Sequence, residues 1–196
     1  MDRNNWIDLV KSQMPLKRWH HTMGVMASAV ELAERFGGDP QKAQFAALLH
    51  DFCKAWPVER QRQVLEEGGE DLADLLDYDK ELWHGPAAAI VLRRDFGVED
   101  EAVLDAVRWH TSGRVNMTKL EKIVCLADYI EPGRDFPGVD RIRQLAEQSL
   151  EKALVAGLDS TISFLLQKGG IIYPLTIMVR NSLLREIRQL EQEVVQ

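Results

Sequence analysis

The residues of this chain best equipped for chemistry are its histidines and the carboxylates that accompany them. Five histidines occur in 196 residues. Four of them, His21, His50, His84 and His110, fall on or next to the apolar stripes of helical segments, as do Asp51 and Asp128, while His20 adjoins His21. An unpartnered carboxylate in such a place costs several kcal/mol or shifts its pKa, so something must compensate the set. A divalent metal ion does so, because imidazole and carboxylate are ligands it accepts and the ion brings the missing positive charge. A lone histidine on an apolar face is ordinarily a satisfied core residue, and a His-Asp pair often arises by chance. The combination of four histidines with two aspartates carries the argument.

Adjacent helical residues such as His50 and Asp51 point about 100° apart, so they bracket one ion only where it sits over the helix at a close packing contact. The face of Ala43, Ala46 and Ala47 supplies that contact. His21, His50, Asp51 and Asp128 would complete one site, leaving His84 and His110 without a partner. A second ion resolves this, with Asp51 as the bridge because it has two oxygens. The second site then comprises Asp51, His84 and His110 and keeps open positions, the mark of a catalytic ion. A water shared by two ions about 3.5 to 4 Å apart becomes a hydroxide nucleophile. The chemistry expected is hydrolysis of a phosphate anhydride or ester.

The elements that must position these groups read as helices nearly throughout, which places the chain in the all-α class as a single-domain helical bundle. Trp6, Leu9 and Val10 begin the pattern. Val25, Ala29, Leu32 and Phe36 continue it from His21 until Gly37-Gly38 stops it. Asp39-Pro40 caps a helix expected to run through Lys54. Residues 55–82 are acidic and broken by Pro57 and Gly68-Gly69, and read as a surface excursion or lid with a short helical piece on each side. Further helices are expected from Pro86 to about Phe96 and from Glu99 to His110. Another, capped by Thr118, carries Leu120, Ile123, Val124 and Ala127 toward Asp128 and Glu131 before Pro132-Gly133 ends it. C-terminal helices, expected at Asp140 to Gly157, Ser160 to Lys168 and Pro174 onward, pack on a metal-binding core of about residues 18–135.

Composition narrows the function. Hydrophobic residues make up 45% and charged residues 28%, ordinary globular values that leave no case for disorder. The formal net charge of −7 argues against a nucleic-acid backbone as partner, yet a local cluster of cations and metal ions still binds a small polyanion. No apolar run approaches the roughly 20 residues of a spanning helix, so no membrane partner is expected. With only Cys53 and Cys125, reduced thiols in the cytoplasm are the expectation.

The order His, His-Asp, Asp resembles the HD-domain phosphohydrolases, and the local sequences resemble the bacterial YqeK branch. The matching stretches are HHTMGV from His20, ALLHDFCK from Ala47, WHGP from Trp83, RWHTSGR from Arg108, LADYIEPGRDFPGV from Leu126 and YPLTIMVRN from Tyr173. This resemblance covers nearly the whole chain, with residues 55–82 matching least. It implies symmetrical hydrolysis of diadenosine tetraphosphate to two ADP, with two transition-metal ions, iron or else manganese or cobalt. It also selects His21 over His20. The ligand expected is a dinucleoside polyphosphate or a nucleoside diphosphate, and a homodimer is among the assemblies left open.

Beside the ligands stand residues suited to phosphate. Lys54 follows His50 by one turn, and Arg134 lies in the loop after Asp128. Thr111, Ser112 and Gly113 form a turn whose backbone amides either face an anion or simply close a helix. Lys17 and Arg18 read as a solvated face, and Trp83 and Trp109 as core packing rather than base stacking. Two other readings compete: a different HD-type nucleotide phosphohydrolase using the same metals, and a nucleotide sensor without turnover, for which open metal positions have no use.

Overall fold

Apolar spacing builds the first helices. In the computed structural model, which describes residues 3–68 and 73–194, α1 (Arg3–Ser12) and α2 (Leu16–Phe36) bring Trp6, Val10 and Trp19 into one buried cluster. Further along α2, Val25, Ala29, Leu32 and Ala33 are buried in a second cluster. Gly37 ends α2 with φ at +66°, a left-handed conformation that costs glycine little, and its N–H donates to Ala33 O.

Asp39 then caps α3 (Pro40–Leu49), accepting from the amides of Gln41 and Lys42 at 2.9 and 3.1 Å. The fully buried alanines Ala43, Ala46 and Ala47 let α3 lie against α2, α6 and α7. The expectation that this helix continues through Lys54 is corrected: it stops at Leu49. Tight turns follow, with Phe52 N donating to Leu49 O and Lys54 N to Asp51 O. These turns keep every residue from Ala46 to Cys53 inside the protein and pack Phe52 edge-on against Phe96.

The described parts of residues 55–82 form a short helical piece on each side, mostly exposed but anchored to the core by a few buried side chains. α4 (Val58–Glu67) buries Gln61, Val64 and Leu65, and the short 3-10 helix Ala73–Asp77 buries Leu75. Trp83 Nε1 donates to Leu75 O at 3.1 Å, tying the segment to the core. Among the described residues its acidic side chains lie on the outer face. Gly69 of the expected Gly68-Gly69 break lies outside the described residues.

α5 (His84–Phe96) begins two residues before Pro86, which sits in its first turn. Asp100 caps α6 (Glu101–Trp109). A reciprocal capping box of Thr118 and Glu121 starts α7 (Lys119–Ile130). α8 (Val139–Ala146), α9 (Leu150–Lys168) and α10 (Pro174–Val194) complete the all-α architecture. The break expected between Gly157 and Ser160 instead falls at 147–149, where the Ser149 side chain caps α9 by accepting from Lys152 N. Gly157 is internal to α9, where Tyr129 crosses it: a Cβ there would lie 3.2 Å from the ring.

The two buried clusters meet at α3 and α7. Ala46 and Val124 face one, and Ala43, Ala47 and Ile123 the other. The C-terminal helices are held to α7 by Lys122, a nearly buried lysine that donates to Glu151 of α9 at 2.9 Å and to Glu186 of α10. No helix among the described residues is long and apolar enough to cross a membrane.

Candidate metal centre

Five elements deliver the centre. His21 comes from α2, His50 and Asp51 from the turn closing α3, His84 from the first residue of α5, His110 from the residue after α6, and Asp128 from the last turn of α7. Asp51 stands in the middle, only 3% exposed. Its Oδ2 lies 3.3 Å from His50 Nε2 and 3.7 Å from His21 Nε2, and its Oδ1 lies 3.2 Å from His84 Nε2 and 3.9 Å from His110 Nε2. Asp128 Oδ1 is 3.0 Å from His21 Nε2. Ligand atoms of His21, His50 and Asp51 fall within 4.8 Å of one another, as do those of Asp51, His84 and His110, and those of His50, His110 and Asp128.

The imidazoles are fixed from behind. His50 Nδ1 meets Ala47 O at 2.6 Å, His110 Nδ1 meets Val107 O at 2.7 Å, and His21 Nδ1 meets Glu131 Oε1 at 3.1 Å. A proton on each Nδ1 leaves the Nε2 lone pair facing inward, as a metal ligand requires. Nε2 of both His21 and His50 is buried without a hydrogen-bond partner. Groups this well desolvated are otherwise partnered, so the donor set fits a divalent metal ion. Burial, reinforced by the charges of His84 and His50, pushes the His110 pKa down to about 3, and burial also lowers that of His84. Burial opposes ionisation of Asp51, but the surrounding imidazoles, His50 first and then His84, outweigh it and hold the carboxyl well below its usual range.

A family model described as HD domain matches residues 18–133, which spans all six of these residues. The chain belongs to the HD domain family. Among HD relatives, a symmetrical bis(5'-nucleosyl)-tetraphosphatase of Bacillus subtilis (strain 168) is 47% identical over 92% of this chain and 97% of its own length. A protein of the same name from Staphylococcus aureus (strain NCTC 8325 / PS 47) is 43% identical, covering 86% of this chain and 88% of its own. The crystal structure of a predicted HD superfamily hydrolase involved in NAD metabolism from Clostridium acetobutylicum is 40% identical, with a TM-score of 0.91 over 95% of this chain and 98% of that one. The HD fold and the buried His/Asp cluster together point to divalent metal binding.

Around the HD centre the remaining candidates take unequal places. Lys54 Nζ donates to Glu81 Oε2 at 2.6 Å and lies 3.4 Å from His84 Nδ1. Arg134 Nε donates to Asp128 O at 2.7 Å and its Nη2 to Asp128 Oδ1. Thr111 Oγ1 lies 3.1 Å from His110 Nε2 and 3.4 Å from His84 Nε2. Ser112 is buried, with its hydroxyl on Gly113 O, and Gly113 N donates to Trp109 O, so this amide closes the helix instead of facing an anion. Trp83 packs in the core.

Two side chains carry more than their sequence context suggests. Arg18, expected on a solvated face, donates to Asp51 Oδ2 at 2.5 Å. It stands one turn before His21 on α2, a spacing that puts both on one face. Glu131, three residues after Asp128, is 4% exposed. Its Oε1 faces His21 and its Oε2 accepts from Gly133 N at 2.6 Å. On the side of Asp128 and Thr111 the centre opens into a cavity of about 650 Å³ that runs out between the segment after α7 and the second half of α9.

Proposed function

We propose that this HD-family chain hydrolyses diadenosine tetraphosphate symmetrically to two ADP, using two divalent transition-metal ions, iron in the cell, held by His21, His50, Asp51, His84, His110 and Asp128. The observation that carries the metal assignment is the posture of Asp51, with one oxygen toward His21 and His50 and the other toward His84 and His110. The substrate follows from the relatives of Bacillus subtilis and Staphylococcus aureus, whose names state this activity and whose lengths this chain nearly spans. The two buried cysteines fit a cytoplasmic setting where thiols stay reduced.

Divalent ions bound here supply Lewis-acid polarisation of a phosphoryl oxygen and a water acidic enough to attack at neutral pH. The protein's own cations do the rest. Arg134, half-buried beside Asp128, faces the charge that grows on the departing ADP. Lys54, beside His84, and Arg18, beside Asp51, hold the phosphates of the other half in line. The Thr111 hydroxyl, turned toward both histidines, is placed to donate to a phosphoryl oxygen. Water oxygen joins an inner phosphorus, the central P–O bond breaks, and ADP leaves.

Chromatography of early products, with iron, manganese, cobalt or magnesium supplied separately, tests this reading. ADP alone is expected, and in isotopically labelled water one of every two ADP molecules gains one solvent oxygen on its terminal phosphate. Equal amounts of AMP and ATP would refute symmetrical cleavage.

A further inference from the structure

The inner end of the 650 Å³ cavity is made by His110, Thr111 and Asp128, so a phosphate at the metal centre can send one end of its molecule outward through it. The chemistry of the wall changes along that path. Arg134 and Glu81, the latter paired with Lys54, are the charged side chains that line the cavity besides Asp128; the rest of its wall includes Tyr129, Phe136, Thr161, Phe164 and Gln167, aromatic and neutral polar side chains. Such a wall suits an uncharged, flat, hydrogen-bonding group better than further phosphate. The volume lies within the roughly 300 to 1,000 Å³ usual for small-molecule sites.

α9 is built in two halves. Its buried residues end at Leu158, and the following stretch to Lys168 has none. That second half leaves the core yet carries Phe164, which is 57% exposed and contributes nothing to the buried clusters. Lys168 Nζ of the same helix lies over the ring, 5.9 Å from its centroid, at the outer limit of a cation–π contact. Tyr129 of α7 is tied to α9: its Oη and Thr161 Oγ1 are 2.8 Å apart, Thr161 donates to Gly157 O, and the absence of a side chain at Gly157 lets the Tyr129 ring lie against the helix.

Resting on the activity proposed above, we propose that this cavity is the subsite for one nucleoside of the substrate, whose base stacks on Phe164 and presents its edge to Gln167. Aromatic rings accept any base by stacking, whereas a side-chain amide that accepts from adenine N6–H and donates to N7 disfavours guanine, which offers two acceptors on that edge. The first interaction supplies affinity and the second supplies preference.

Binding to the manganese-loaded protein tests this without relying on turnover. Calorimetry with ADP and with pyrophosphate separates the nucleoside from the phosphates. Phe164→Ala, at an exposed position, should weaken ADP about tenfold, leave pyrophosphate unchanged and raise KM for diadenosine tetraphosphate; Phe164→Trp should restore ADP binding. Gln167→Ala should narrow the difference in affinity between ADP and GDP. Unchanged ADP affinity in Phe164→Ala overturns the subsite, as does an equal loss for pyrophosphate, and unchanged discrimination in Gln167→Ala overturns the edge contact. A wild-type protein that fails to cleave diadenosine tetraphosphate while Phe164→Ala still loses ADP defeats the proposed activity and leaves the subsite standing.

Discussion

Removing the Asp51 carboxylate takes away the acceptor that four imidazoles and Arg18 face, and leaves the buried imidazoles of His50, His84 and His110 without it. Asp51→Ala is therefore expected to abolish activity and to lose metal on both sides of the centre, while His84→Ala keeps the ion beside His21 and His50. Elemental analysis of the two purified variants checks this, and near-full metal content in Asp51→Ala would sink the bridging assignment. Glu131 works one step further out. Its oxygens hold His21 Nδ1 and the Gly133 amide, so it sets both the ring orientation and the turn carrying Arg134. In Glu131→Gln the amide nitrogen must oppose one of these donors, and metal affinity should fall about 10- to 100-fold with helical content intact. Competition against a chelator reads the change; wild-type affinity would leave Glu131 a role only in the turn.

At the scale of elements, the distance between two helices decides whether two histidines meet. His84 Nε2 and His110 Nε2 are 2.9 Å apart because α5 and α6 touch at Gly85, where an added Cβ would lie 2.9 Å from Arg108 O, 3.0 Å from Val107 O and 3.2 Å from His110 Nδ1. Backbone cannot yield as a side chain does. Gly85→Ala should separate the helices by a fraction of an ångström, destabilise the protein by about 1 to 3 kcal/mol, and lower kcat/KM about 100-fold. Steady-state kinetics beside thermal unfolding tests both halves, and wild-type turnover would show that the spacing of α5 and α6 does not govern the site.

For the whole molecule, α7 is the shared wall. It gives Asp128 to the centre, Tyr129 to the cavity and Lys122 to the contact with α9 and α10. Lys122→Met removes the cation between Glu151 and Glu186 and should cost about 1 to 3 kcal/mol by leaving partly buried carboxylates unpaired. In a chain of 196 residues that lowers Tm by roughly 2 to 4 °C per kcal/mol. Burial opposes the charge on Lys122, but the hydrogen bonds and charges of both glutamates outweigh it, so its pKa is raised. A raised pKa means the contribution is complete below the unfolded lysine value and disappears only as pH climbs through the folded one. Melting curves at neutral pH and in alkali should therefore differ for the wild type and converge for the variant. An undiminished neutral Tm in Lys122→Met would show that apolar packing alone holds the C-terminal helices.

Much of this was already written along the chain. The 3.6-residue spacing of apolar side chains, with caps at Asp39 and Thr118 and stops at Gly37 and Pro132, determined the helices and the all-α class, because those signals act within a turn or two. Six ionisable residues on apolar stripes were visible as a set for the same reason. Tertiary structure decided what periodicity does not encode. It ended α3 at Leu49 in tight turns that bury everything to Cys53, anchored the segment before Trp83 through Leu75, and set the α8/α9 break at the Ser149 cap, with Tyr129 packed on Gly157 inside α9. It also brought Arg18 to Asp51 and Glu131 to His21, contacts that span 33 and 110 residues. No local pattern specifies such pairs, since their distances depend on how closely helices pack and hence on small side chains far away in sequence.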